Sequence, residues 1–125
     1  DPSQKKDTLT LMRVRRVEVA IAAQQFDLAI SDFQQLLQDS PNDLRFLTGL
    51  GMAYIGKGQA QPAMELFNPL VARAPSGPTF YGRAMAYQLL GQRDASLRDI
   101  DQAIKLEPKN QLYTSMRASI AASNK

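Results

Sequence analysis

Apolar residues recur along most of the chain at intervals of three and four positions, the spacing that places side chains on one face of a helix. The first run begins near Asp7 and contains Leu11, Val14, Val17 and Ile21. Six further runs follow it, and none alternates strictly between apolar and polar residues as a half-buried strand would. The pattern therefore predicts seven helices and no strands. Connections of two to five residues predict that neighbouring helices are antiparallel.

Prolines and capping residues predict where these helices end and begin. Pro41, Pro75 and Pro108 each follow a helical run, because proline cannot donate the helix hydrogen bond and restricts the residue before it. Residues whose side chains can accept from free amide groups precede or open the next runs. These are Asn42 or Asp43, Ser76-Gly77-Pro78, Asp94 and Asn110. Pro69 lies inside the fourth run and predicts a kink or an early end there.

The same residue types return at a fixed interval. The three helix-ending prolines are separated by 34 and 33 residues, with two helices in each interval. Other positions recur in the same register, and they are Gly51 and Ala84, Tyr54 and Tyr87, Gly58 and Gly91, Ala29 and Ala63, and Phe33 and Phe67. The chain therefore resembles the tetratricopeptide repeat family over about residues 10–110. It departs from the pattern at Val17, Ala20 and Gln24 in the first unit and at Ser96 and Ile100 in the third.

This resemblance implies an all-α fold, a right-handed superhelical α-α repeat array of about seven antiparallel helices. The implied organisation is an N-terminal extension over residues 1–9, a degenerate first repeat over 10–43, a second over 44–76, a third over 77–110 and a C-terminal capping helix over 111–125. The recurring glycine, alanine and aromatic residues are then packing and turn residues, and they do not indicate which partner the chain binds.

The resemblance also implies a binding surface, because the first helix of each unit in this family lines a concave groove. The residues expected on that face are Val14, Arg15, Glu18 and Ile21 in the first unit, Arg45, Thr48, Gly49, Met52 and Ile55 in the second, and Tyr81, Gly82, Met85 and Leu89 in the third. Methionine adapts to varied apolar contacts. Gly49 and Gly82 are expected to leave room for a partner backbone. The alternative is that the last helix or a neighbouring chain covers this face.

One branch of the family binds acidic C-terminal tails of chaperones through a clamp of Lys, Asn and Arg. The positions of this chain that match the clamp are Val14, Glu18, Gly49, Pro78 and Gly82, and none of them is basic or an amide. We therefore expect an apolar or amphipathic peptide segment in the groove instead, bound as a helix lies in a groove.

Composition argues against catalysis. The chain has no cysteine and no histidine, so disulfides, thiolate nucleophiles and the commonest general base and metal ligand are excluded. Hydrophobic residues make up 44% and charged residues 22% of the chain, as in ordinary folded proteins. The net charge of +3 is modest, and only Arg13, Arg15 and Arg16 cluster, on different sides of a helix. Nucleic-acid binding is therefore not predicted.

Two further motifs have simpler explanations than a nucleotide-binding or catalytic site. Gly51 to Lys57 matches the first seven positions of a phosphate-binding loop, but Gly58 occupies the Ser/Thr position and no strand precedes the segment. Asp99 and Asp101 lie two residues apart on a helix, so they are expected to be solvated surface charges rather than a metal or acid–base pair. No catalytic residue, metal site or cofactor is predicted.

The sequence thus predicts a non-catalytic scaffold or adaptor that binds a protein or peptide partner. The alternative is a structural component that self-assembles into homo-oligomers through exposed helix faces. No apolar run approaches the roughly 18 residues of a membrane span, so direct membrane insertion is not expected. Overall resemblance favours bacterial secretion, pilus or envelope assembly, in the cytoplasm or the periplasm. Because the chain begins with Asp1, a signal or lipid anchor could precede it.

Overall fold

A computed structural model describes residues 2–122, and the side chains of residues 4–122. Residues 1 and 123–125, at the outer limits of the predicted first and last segments, lie outside this range. Within residues 2–122 all regular structure is helical, which confirms the predicted all-α fold. The helices are α1 Pro2–Ala22, α2 Phe26–Asp39, α3 Leu44–Gly56, α4 Ala60–Arg73, α5 Gly77–Leu89, α6 Arg93–Leu106 and α7 Gln111–Ala122.

Most helix ends follow the local signals. Each of α2, α4 and α6 ends two residues before a proline. The side chain of Asp43 caps α3 by accepting from the Arg45 amide, and Asn110 accepts from Leu112 at the start of α7. Ser76 and Thr79 form a reciprocal capping box at α5. The expectation for Asp94 is wrong, because α6 already begins at Arg93 and Asp94 lies within its first turn.

Two helices are longer than expected. α1 begins at Pro2 rather than near Asp7, because proline is compatible with a first turn and the lysines and glutamine that follow are good helix formers. α4 continues past Pro69 to Arg73, so the predicted early end is wrong. Pro69 and Glu65 are both exposed, so the Glu65 carbonyl that loses its helical partner can bond to water.

The turns within the three helix pairs share one backbone conformation. Gln24, Gly58 and Gly91 have φ angles of 59°, 82° and 72°. This left-handed region is open to glycine and costly for residues with a Cβ. Gln24 is therefore the one unfavourable turn residue of these three.

The core consists of three clusters, each shared by three successive helices. The first joins α1, α2 and α3, the second joins α3, α4 and α5, and the third joins α5, α6 and α7. Each helix thus packs mainly on its chain neighbours, as in a stacked repeat array. Ser96 fits the third cluster because its buried hydroxyl donates to the Ala84 carbonyl oxygen at 2.7 Å.

Two ion pairs that contain a buried aspartate cross between the helices of a pair. Asp32 is fully buried and accepts from Arg16, with Nε at 2.9 Å. Asp99 is 5% exposed and accepts from Arg83 Nε at 2.7 Å and Nη2 at 2.9 Å. The hydrogen bonds that the two arginines donate to these aspartates raise the pKa of each arginine. Asp99 is therefore not the solvated surface charge that the sequence suggested.

A candidate groove on the inner helices

The array has an inner side that is lined by α1, α3, α5 and α7, here called the inner helices. α3 contacts α5 directly, and the rings of Tyr81 in α5 and Tyr113 in α7 lie 5.3 Å apart. Contacts among α2, α4 and α6, the outer helices, are sparser.

An apolar pocket of about 220 Å³ lies on this inner side. Its lining comes from α1, α2, α3 and α5 and consists of Ile21, Phe26, Met52, Ala53, Ile55, Gly56 and Met85. Four of the predicted groove residues thus come together, namely Ile21, Met52, Ile55 and Met85. None of these seven lining residues has a titratable side chain. It can accept an apolar side chain, and its two methionines can adjust to the shape of that side chain.

Arg45 and Thr48 lie in a separate hollow of about 370 Å³, which is also lined by Leu44, Ala74, Pro75, Ser76, Pro78 and Thr79. Arg45 donates to Asp43 at 2.9 Å and stacks over the Phe46 ring, with 5.2 Å from Cζ to the ring centre. Its hydrogen bond lowers the pKa of Asp43. This hollow combines apolar walls with one exposed guanidinium, and so differs in chemistry from the pocket around Met52.

Gly49 and Gly82 do not leave open space for a partner. A Cβ at Gly49 would overlap with the Phe33 ring, and a Cβ at Gly82 would overlap with the Phe67 ring. These rings belong to the preceding outer helices, α2 and α4. The expectation that both glycines leave room for a partner backbone is therefore corrected. Each allows close packing between successive units of the chain itself.

The remaining predicted groove residues are not gathered into one surface. Val14 packs against the first core cluster, while Arg15 and Glu18 are exposed. Tyr81 packs against the third cluster and Tyr113, and burial raises its pKa. Leu89 is 46% exposed near the end of α5. The last helix therefore covers part of the face around Tyr81, as the alternative interpretation expected.

Sequence reasoning missed Phe26 as a pocket residue. Its ring lies against Gly56, where a Cβ would overlap with it, and so forms one wall of the pocket. Phe26 is the first residue of α2, whereas the predicted groove residues all lie on inner helices. An aromatic residue directly after a turn and a glycine in the last turn of the next helix were the available signal.

Comparison with known families agrees with this arrangement. A family model described as tetratricopeptide repeat matches residues 20–86, more than half of the chain, and a second of the same description matches residues 78–110. The chain belongs to the tetratricopeptide repeat family. Arrays of this family present extended concave binding surfaces and generally serve as non-catalytic interaction modules.

Individual relatives of this tetratricopeptide array are more distant. It is 31% identical to human tetratricopeptide repeat protein 13 in an alignment of 101 residues that covers 76% of this chain and 12% of that protein. Its fold is similar to the first tetratricopeptide domain of human RPAP3, with a TM-score of 0.80, 19% identity and coverage of 90% of both chains. It is also similar to the first such domain of Spaghetti bound to an HSP90 peptide, with a TM-score of 0.78, 20% identity and coverage of 91% of both chains. The MamA crystal structure matches with a TM-score of 0.70 and 21% identity, covering 91% of this chain and 63% of that one.

No helix within residues 2–122 combines the length and apolar character needed to cross a bilayer.

Proposed function

We propose that this chain is a non-catalytic scaffold that binds an apolar or amphipathic segment of a partner protein on its inner helices. The observation that carries the proposal is the pocket formed by Ile21, Met52, Ile55 and Met85, together with Phe26. Contiguous apolar concavities are typical of sites that bind protein segments or ligands. The repeat limits 10–43, 44–76 and 77–110 belong to the same proposal.

The expected ligand differs from the acidic peptide held by one structural neighbour. That neighbour, Spaghetti, was solved with the HSP90 peptide SRMEEVD. The clamp-matching positions here hold Val14, Glu18, Gly49, Pro78 and Gly82, which offer no cation to a terminal carboxylate. Glu18 would repel it. An apolar side chain in the Met52 pocket fits the chemistry of this chain better.

A charge placed in the pocket tests the proposal. Met52→Glu should abolish capture of partners from native extract, because a carboxylate in an apolar pocket is strongly disfavoured. Leu106→Glu is the matched control, since Leu106 is 50% exposed at the end of the outer helix α6. Tyr81→Glu is a poorer test, because Tyr81 supports α7 through Tyr113. Helicity by circular dichroism should be the same in all proteins compared.

The outcome separates this function from the alternative. Loss of a partner with Met52→Glu, and its retention with Leu106→Glu, supports the scaffold. If Met52→Glu instead changes the molar mass in light scattering, self-assembly into a structural component is the better account. If neither variant changes any association, the groove proposal is wrong. The identity of a captured partner would also test the hypothesis of bacterial secretion, pilus or envelope assembly.

A further inference from the structure

The apolar pocket on the inner helices has a carboxylate at its edge. Ile21 lines the pocket from α1 and is 39% exposed. Glu18 lies three residues earlier on the same helix, and side chains at this spacing are neighbours on a helix surface. The two residues are separated by about 4.5 Å along the helix axis. An apolar side chain seated in the pocket therefore has the Glu18 side chain beside it.

The repeat register explains why Glu18 faces the inner side. Met52 and Met85 occupy the equivalent positions of the next two units, at intervals of 34 and 33 residues, and both line the pocket. Met52 does so although α3 has an inner helix on each side, since Ile21 of α1 and Met85 of α5 line the same pocket. This position of a unit thus faces inward whether or not another unit precedes it. The direction of Glu18 follows from its place in the repeat.

Three of the predicted groove residues are charged, namely Arg15, Glu18 and Arg45. Arg45 is already paired, because it donates to Asp43 at 2.9 Å. Its charge is therefore largely balanced inside the chain. The pair offers little attraction to a charged ligand, since a further carboxylate would also meet Asp43.

Arg15 points to a different side of α1. It occupies the repeat position of Gly49 and Gly82, where an added Cβ would meet a ring of the preceding outer helix rather than the pocket. It forms no ion pair with Glu18, and neither residue has an ionic partner among the side chains of residues 4–122. Glu18 is therefore the predicted groove residue whose charge is both directed inward and unbalanced in the described part of the chain.

We propose that the partner segment carries a lysine or arginine next to the apolar side chain that enters the pocket, and that Glu18 binds this cation. The inference rests on the proposed function and specifies the ligand of the same groove as a basic amphipathic segment. A cation within about four positions of the apolar residue can reach Glu18, since an extended chain advances about 3.3 Å per residue. Its apolar stem can lie along the exposed part of Ile21.

This arrangement gives the groove selectivity that an apolar pocket alone does not have. Opposite charges across an interface favour the correct partner, and like charges placed next to each other reject others. A segment with aspartate or glutamate beside its apolar residue would be repelled by Glu18. The chain as a whole has a net charge of +3, so nonspecific attraction would favour acidic peptides instead. A preference for basic peptides would therefore report the local site.

The probe is a displayed library of random peptides of about twelve residues, which is about three helical turns, selected on the immobilised chain. The enriched peptides should share an apolar residue with lysine or arginine within about four positions of it. The same selection on Glu18→Lys should enrich aspartate or glutamate at that place. Glu65→Lys is the matched control, because it makes the same charge change at an exposed position of the outer helix α4, and it should leave the preference for cations unchanged.

Fluorescence anisotropy then measures the best peptide from the wild-type selection. Glu18→Gln should weaken its binding about fivefold and Glu18→Lys about tenfold, and both differences should shrink with added salt. Binding to Glu65→Lys should equal that to the wild type. A peptide in which glutamate replaces the selected cation should bind Glu18→Lys more tightly than it binds the wild type, which a purely structural role of Glu18 would not produce.

The pocket variant separates failure of this inference from failure of the proposed function. Binding of the selected peptides should be lost in Met52→Glu. Ile21→Glu, at a partly exposed position, serves instead if circular dichroism shows that Met52→Glu alters the fold. Peptides that need the pocket but show no charge preference, or that keep the preference for cations in Glu18→Lys, would overturn the inference and leave the groove intact. If no peptide is enriched, or if the enriched peptides still bind both pocket variants, the groove itself is wrong and the inference fails with it.

Discussion

At the contacts between successive units, a larger residue on one helix is matched by a smaller residue on the helix that it meets. Phe33 meets Gly49 and Phe67 meets Gly82, so a ring on one helix faces a position without a Cβ on the next. At the third contact Ile100 replaces the phenylalanine and Met116 stands where the glycine would be, and both belong to the last cluster. Swaps that conserve volume keep a core well packed. The departure at Ile100 is therefore explained by a residue on another helix.

Gln24→Gly should stabilise the protein by about 0.5–1 kcal/mol, because Gln24 has a φ of 59° that glycine adopts without steric cost. Urea unfolding at neutral pH measures the change. The reverse substitution Gly91→Gln is the matched control and should destabilise by a similar amount. Space around a Cβ at Gly91 is open, so only the backbone conformation is tested. A loss of stability in Gln24→Gly would show that the glutamine side chain contributes a compensating contact.

At the scale of helix pairs, three equivalent pairs use two kinds of cross-helix contact. Arg16 and Asp32 join α1 to α2, and Arg83 and Asp99 join α5 to α6, each separated by 16 residues. In the central pair, α3 and α4, the equivalent positions are Leu50 and Leu66. These two leucines belong to the first core cluster. The central pair therefore shows that an apolar contact fits where its neighbours have an ion pair.

Replacing the first ion pair by the leucines of the central pair should be neutral or stabilising. Burying two charges costs desolvation energy that an apolar pair of similar volume does not incur. Arg16→Leu alone should be more destabilising than the double change, because it leaves the fully buried Asp32 carboxylate without its partner. Asp32→Leu alone should cost less, since the Arg16 side chain is 55% exposed and can turn to water.

A double-mutant cycle by urea unfolding compares these proteins. If Arg16→Leu/Asp32→Leu is as unstable as Arg16→Leu alone, the apolar pair does not fit between α1 and α2.

Over the whole molecule, stability is distributed along the array and its two ends differ. At the C-terminal end, α7 covers α6 and closes the last cluster with Tyr113 and Ile120. The Tyr113 hydroxyl donates to Glu107 Oε2 at 3.2 Å. In the first helix, Leu9, Met12 and Val19 of α1 are exposed within the described residues. Because each cluster depends on neighbouring helices only, a destabilising change at one end of the array should unfold that end first.

Alkaline pH should loosen the α7 end. Burial and the nearby Glu107 raise the pKa of Tyr113 to about 12, above the value of about 10 for an unfolded tyrosine. The unfolded chain therefore releases this proton first, so stability that is present below pH 10 is lost as the pH rises toward 12. The expected loss is roughly 2 kcal/mol, measured by urea unfolding at a series of pH values.

Tyr113→Phe should flatten this pH dependence, while costing only about 1 kcal/mol at neutral pH for the lost hydrogen bond. An unchanged alkaline slope in this variant would assign the effect to other groups.

Local signals in the sequence determined the number, type and order of the helices, most of their ends and the repeat family. The reason is that helical periodicity, prolines and capping side chains act within a few residues of themselves. The same signals misplaced the start of α6, because Asp94 lies inside its first turn, and they did not decide whether α4 would end early at Pro69, which it does not.

Only the tertiary structure decided which surfaces stay open. Gly49 and Gly82 belong to the face predicted for a ligand, yet rings from other helices occupy the space beside them. Asp99 is two residues from the exposed Asp101, yet it is buried against Arg83. Met12 has the same place in its repeat as the buried Phe46, yet it is 61% exposed. In each case the outcome depends on which helix lies next to the residue in space, and helical periodicity within one segment carries no information about that neighbour.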